Sequence, residues 1–251
     1  MKPADLLYTQ GFGTRRECAA LVANGCLEVE GAGLVDDVDR DLEVAADLWF
    51  RVRGGVRWPY RERALIVMNK PAGVECSQKP RHHASVYSLL PAPLRQRGVQ
   101  AIGRLDEDTT GVLLFTDDGQ LVHRLTSPKH HVAKVYEVTC KHALDADQID
   151  RLRAGVLLRD DDETVRAAAC EATGERALRL TLVEGKYHQV KRMIAAVGNR
   201  VEALERSAFG SVRLEGLAAG AWRWLDANRE FPMRRSLPPR GGGPSLPPAR
   251  S

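Results

Sequence analysis

Gly103-Arg104-Leu105-Asp106-Glu107-Asp108-Thr109-Thr110-Gly111 is the stretch on which the reading of this 251-residue chain turns. Asp106 ends an apolar run formed by Val99, Ala101, Ile102 and Leu105, and a second apolar run, 112–115, follows the polar turn. The spacing predicts a strand over 100–105, a turn, and a strand over 111–116. A carboxylate at such a junction is held rigidly yet faces a cleft, the two conditions that a nucleophile or an acid–base group needs.

Working outward, further strands are predicted over 65–69, 134–139, 178–183 and 200–205, and helices near 85–90, 119–125, 147–154 and 187–197. Pro128 and Gly198-Asn199 mark helix ends. Strands dominate without regular strand–helix alternation, so the expected class is α+β with a large mixed sheet rather than a doubly wound fold. This unit is placed at 64–227. Residues 1–48 read as a small separate unit of two helices and a strand: Thr14 with Glu17 forms a capping box, and Asn24-Gly25 ends the second helix. Residues 49–63 alternate arginine (51, 53, 57, 61, 63) with Trp49, Phe50, Trp58 and Tyr60 and read as a linker. Its aromatics suit either RNA stacking or cover for the next domain. From 228 to 251 the Pro/Gly/Arg-rich chain is expected to be a disordered tail.

The formal charge of +4 is unevenly spread. Residues 1–48 hold four Lys/Arg against ten Asp/Glu, leaving 33 basic and 23 acidic groups for the rest. Such an excess favours a polyanionic partner, nucleic acid first. Five widely spaced cysteines without a CxxC pair suit reduced thiols in a cytoplasmic protein, and no apolar run is long enough for a membrane span.

Three segments carry candidate chemistry. Asp106-Glu107-Asp108-Thr109-Thr110 matches the Asp-x-Asp-x-Thr loop of metal-dependent phosphatases, a weak five-residue match without the surrounding parallel α/β pattern. Tyr136, in Ala133-Lys134-Val135-Tyr136-Glu137-Val138, stands opposite Val135 and Glu137 on its strand; it is either a core aromatic or a stacking, proton-exchanging group. Glu184-Gly185-Lys186-Tyr187-His188-Gln189-Val190-Lys191-Arg192-Met193 places cations at a helix start, where they can neutralise a carboxylate, clamp phosphates, or simply face solvent. The pairs His82-His83 and His130-His131 diverge in regular structure, so no metal site is expected.

Taken in order, Asn69-Lys70-Pro71-Ala72-Gly73, Gly103-Arg104-Leu105-Asp106 with Thr109-Thr110-Gly111, Lys134-Val135-Tyr136 and Glu184 to Met193 resemble the pseudouridine synthase family. Tyr187 to Met193 and Leu125-Thr126-Ser127-Pro128-Lys129-His130-His131 are most similar to its RsuA-type branch, whose members modify one uridine of 16S ribosomal RNA. Gly11 to Cys18 with Ala23 to Gly31 resembles an S-four-type RNA-binding domain, although such domains are usually basic and this one is net acidic. The resemblance implies a mostly antiparallel pseudouridine synthase sheet behind a small αα-β RNA-binding domain. It implies an isomerase that needs no cofactor or metal, with Asp106 as the catalytic aspartate, Tyr136 as the active-site tyrosine and Lys186 as the cation paired with Asp106. Arg104, Lys191 and Arg192 would contact RNA at the site, and Arg15 and Arg16 at the N-terminal corner. The implied partner is ribosomal RNA, 16S or within a small-subunit assembly intermediate, met by a monomer without a membrane. A 23S uridine, a phosphatase and a non-catalytic RNA-binding protein are the alternatives. On the isomerase reading Asp108 is dispensable for chemistry.

Overall fold

Thr14 does what its spacing to Glu17 predicts. Its hydroxyl accepts from Glu17 N while the Glu17 carboxylate accepts from Thr14 N, which opens the helix Arg15–Ala23 behind the helix Pro3–Thr9. The structure, a computed structural model, describes residues 1–158 and 164–232, with only the backbone of Pro128. Beneath these two helices lies a four-stranded sheet in the order Gly33–Val35, Leu27–Val29, Trp49–Val52, Trp58–Pro59. The last two strands come from the segment read as a linker, so the first unit runs to about residue 59 instead of ending at 48.

The arginine–aromatic alternation is therefore strand alternation: Phe50 is buried and Arg51 exposed. Arg57 stacks over Trp49 at 3.9 Å and pairs with Glu30 at 2.5 Å. Trp58 instead packs edge-on against Trp222 (6.2 Å) and Trp224 (5.4 Å) and covers the next unit. Arg97, with a nearly buried side chain, fastens the two units. It bonds Asp117, the Gln10 side chain and the carbonyls of Arg61 and Glu62.

The large sheet runs Ala169–Gly174, Ala177–Leu182, Lys134–Cys140, Val201–Phe209, Thr110–Thr116, Leu65–Lys70, Trp222–Trp224, and Gln100–Ala101 joins it on Thr110–Thr116. Its pairs are antiparallel except at the centre, where Val201–Phe209 lies parallel to Thr110–Thr116, Glu205 opposite Thr110 and Arg206 opposite Gly111. The fold is α+β with a mixed, mostly antiparallel sheet, as expected. Gly111 permits the parallel join: at φ +102°, a Cβ there would lie 2.4 Å from Arg206 O.

Several boundaries differ from the sequence reading. The strand expected over 100–105 is only Gln100–Ala101, because Gly103 turns the chain at φ +74°. Asp106 thus sits on a loop, not at a strand end. The strand expected to end at 205 continues to Phe209, and the helix expected from 187 starts at Gln189, after His188 at φ 48°. The segment near 85–90 is a 3-10 turn, Val86–Leu89.

One apolar core extends from Leu6 through the middle of the sheet to Leu204, crossing both units. A smaller cluster around Val67, Leu114, Leu121 and Phe209 fills the other face. Phe231 packs on that cluster after a short helix, Ala227–Glu230, whose N-terminus is capped by Asp226. The helix and Phe231 thus extend the described structure into the segment 228–251 that was read as the tail; its remainder, 233–251, lies outside the described residues. Among the described residues no helix is long and apolar enough to cross a membrane.

Candidate active site

Two loops meet face to face above the sheet. One is the Asp106 loop, which enters the strand Thr110–Thr116; the other precedes and opens the helix Gln189–Ala196. Between them lies a cavity of about 900 Å³, at the upper end of the ~300–1,000 Å³ usual for small-ligand sites. Asp106, Arg104, Tyr136, Lys186, His188 and Lys191 all line it. The residues singled out from three separate stretches of sequence therefore meet at one place.

Both oxygens of Asp106 are engaged. His188 Nε2 lies 3.1 Å from Oδ1 and Lys191 Nζ 3.2 Å from Oδ2. Lys191 thus takes the position beside the carboxylate that the resemblance assigned to Lys186, while Lys186 stands in the wall of the same cavity, where its N–H donates to the Gln189 side chain. The physical reason is helical: Lys191 is in the first turn of Gln189–Ala196, and its position is set by that helix. Lys186 belongs to the preceding loop. Arg192, one position further, donates to Tyr187 O at 3.4 Å.

Lys191 also donates to both oxygens of Asp108, at 2.6 and 2.9 Å. Burial acts to lower the pKa of this ammonium, but its hydrogen bonds to Asp108 and Asp106 prevail and hold it above the ordinary lysine value. For Asp108 burial works upward, and the bond from Lys191 with its charge brings the net shift downward. With an ammonium on both its oxygens, Asp108 is poorly disposed to act as the proton shuttle of an Asp-x-Asp-x-Thr phosphatase. It is also not idle, since it helps hold Lys191.

The turn after Asp106 is supported from below by Lys70, whose side chain is wholly buried. Its Nζ donates to the carbonyls of Pro71 (2.9 Å), Glu107 (3.0 Å) and Thr109 (2.8 Å). Burial lowers its pKa, and the nearby anionic groups oppose that shift. On the opposite rim, Glu75 accepts from the backbone N–H groups of Arg81, His82 and His83 at 3.2, 2.8 and 2.9 Å. These bonds bring its pKa down to about 2 and fix the loop that carries Arg81, His82 and His83 into the cavity wall.

Tyr136 faces the cavity from the strand Lys134–Cys140, 9% exposed, directly opposite Arg206. Arg206 is 2% exposed and also lines the cavity. The sequence reading missed it along with His188. A signal was there: Leu204, Arg206 and Ala208 share the buried face of their strand, and a cation on an otherwise apolar face is unusual. Among the predicted RNA contacts, Arg104 is exposed at the cavity mouth, and Arg15 and Arg16 are exposed on the N-terminal unit. Arg15 pairs with Asp5 and stacks over Tyr8.

Comparison with known proteins meets this geometry. Residues 64–196 match the family model described as RNA pseudouridylate synthase. The chain is 40% identical over 233 residues to the Bacillus subtilis protein named uncharacterized RNA pseudouridine synthase YtzG, covering 90% of this chain and 95% of that one. It is 39% identical over 218 residues to ribosomal small subunit pseudouridine synthase A of Vibrio cholerae, covering 84% and 90%. A solved structure titled as a pseudouridylate synthase superposes with a TM-score of 0.63 at 31% identity, covering 91% of this chain and 97% of that one.

Proposed function

The chain belongs to the RNA pseudouridine synthases and is an isomerase; from that premise we propose that it converts one uridine of small-subunit (16S) ribosomal RNA to pseudouridine in the cytoplasm, as a monomer, with Asp106 acting on the ribose. The observation that carries the assignment is Asp106 itself: a carboxylate with Lys191 and His188 on its two oxygens, in a cavity large enough for a nucleotide. The names of the relatives from Vibrio cholerae and Escherichia coli support the small-subunit RNA as target.

The target nucleotide must leave its stack to reach Asp106, at a cost of a few kcal/mol. Asp106 then attacks the sugar or removes a sugar proton. By either route the bond between N1 and C1′ breaks, and its electron pair leaves with the uracil. The base turns, and C5 bonds to C1′. The proton on C5 must then depart while N1 gains one, so the sum is an isomerisation. Tyr136 faces the cavity and is the group to accept the C5 proton, directly or through water. Lys191 and His188 hold the Asp106 carboxylate in one orientation, and Asp108 and the buried Lys70 hold Lys191 and the turn. Arg104, exposed in the cavity wall, and Arg81 on the rim are the cations to meet phosphates of the flanking RNA.

The N-terminal unit, through Arg15 and Arg16 as an S-four-type domain, supplies a second RNA contact despite its acidic composition. Mapping pseudouridines in ribosomal RNA from cells with and without this gene tests the target. One missing 16S site is the expected result, and a missing 23S site alone, or none, would overturn it.

A further inference from the structure

Among the described residues, Arg206 is the one buried cation of the cavity that the reaction as described does not use. Its Nε donates to Val112 O at 2.7 Å, but its Nη2 is buried and has no hydrogen-bond partner. Among the described residues no carboxylate pairs with it. Lys134, another cation of the cavity wall, adds repulsion: burial lowers its pKa, and the Arg206 charge lowers it further. A guanidinium kept from water without an anion is unfavourable unless something completes its bonding.

The surroundings say what that something is. Tyr136 is opposite Arg206 across the ladder, so both side chains project to the same face. The register slips between Val135 and Tyr136, which leaves Ser207 unpaired and re-aims the strand at this point. Phe209, with its ring centroid 5.3 Å from the guanidinium carbon, and Leu182 and Leu204 give this part of the cavity an apolar wall. The exposed cations, Arg104 and Arg81 among them, lie at the mouth instead. Backbone phosphates belong with those exposed cations, and a flat, polar-edged ring belongs in the depth.

Building on the function proposed above, we propose that Arg206 donates through Nη2 to a carbonyl oxygen of the extruded uracil. When the bond from N1 to C1′ breaks, the electron pair spreads over N1 and the two carbonyl oxygens. Arg206 then faces the anion that its own burial leaves it short of, and the contact strengthens as the bond breaks. No atom is transferred to or from Arg206. The charge also stays beside the base while it turns, because the guanidinium can meet either oxygen.

The test uses the full-length protein and its 16S target RNA, with the target uridine replaced by 2-thiouridine or 4-thiouridine, or its adjoining phosphate by a methylphosphonate. Arg206→Gln should slow single-turnover conversion by roughly 10²–10³-fold, as for loss of one such donor, and leave RNA affinity within about threefold. One of the two sulfur substitutions should slow the native protein roughly tenfold and the variant hardly at all, whereas the methylphosphonate should affect both alike. Where Arg206→Gln does not fold, Arg206→Lys takes its place, and a native protein indifferent to both sulfur substitutions overturns the proposal without any variant. Coupling to the methylphosphonate, or a loss confined to affinity, assigns Arg206 to a phosphate and also overturns it. A native protein that forms no pseudouridine overturns the function and this contact together; one that forms it without the coupling overturns this contact alone.

Discussion

Replacing Gly111 by alanine presses on the join between the two central strands. Gly111 has φ +102°, and an added Cβ would lie 2.4, 2.9 and 3.0 Å from O, N and C of Arg206. The obstacle is backbone, not the end of a flexible side chain, so the two central strands must separate by several tenths of an ångström. Backbone strain at such a φ costs about 1–3 kcal/mol. Overpacking in a filled interior costs about 1–3 kcal/mol more. The sum, about 2–6 kcal/mol, corresponds in a chain of this length to a melting temperature lower by about 5–20 °C. The join is only two residue pairs long, and it carries Asp106 on one side and Arg206 on the other, so activity should fall more steeply than stability. Differential scanning calorimetry with a single-turnover assay below both transitions measures the two effects. A Gly111→Ala protein that melts within about 2 °C of the native one and keeps its rate would refute the close approach as the reason for this glycine.

Lys191→Met should lower the single-turnover rate by about 10²–10³-fold, because it strips the ammonium from Asp106 and leaves Asp108 beside it without a counter-charge; a loss below tenfold would show that His188 suffices. Asp108→Asn keeps an acceptor near Lys191 and should cost less than Lys191→Met, whereas equal losses would mean that Asp108 has chemistry of its own. Glu75 gives a pH signature. Its pKa falls from 4.5 to about 2 on folding, so its contribution to stability is complete above 4.5 and is lost as pH falls toward 2. The difference in urea midpoint between the native protein and Glu75→Ala should be level from pH 8 to about 5 and narrow below about 4.5; a difference that stays level would remove the Glu75 carboxylate as the anchor of the 81–83 loop.

Much of the site was legible because its parts are contiguous motifs. Asp106 stood out within its own turn, whereas Tyr136, which read alone could be a core aromatic, gained a role only from the order of the segments; both line the cavity. The choice between Lys186 and Lys191 was harder, because five residues of sequence do not say where a loop hands over to a helix. His188, in a left-handed conformation just ahead of Gln189, makes that handover, and no local propensity predicts it. Arg206 was hidden for a related reason. Its strand was expected to stop at 205, and what continues it to Phe209 is pairing with Lys134–Cys140, distant in sequence. Gly111 was visible as a glycine, but its need comes from the backbone of Arg206, 95 residues later. That 49–63 holds strands of the small sheet was not legible, because the partner of Trp49–Val52 is Leu27–Val29, a pairing that composition does not reveal.

The most direct measurement is pseudouridine formation by Asp106→Asn on 16S RNA under single-turnover conditions, with RNA affinity measured alongside. The substitution removes the charge from both bonded oxygens with almost no change in size. No product above the uncatalysed background, with affinity within about threefold of the native value, is the predicted result. Pseudouridine formed at a rate near that of the native protein would contradict the placement of the chemistry at Asp106.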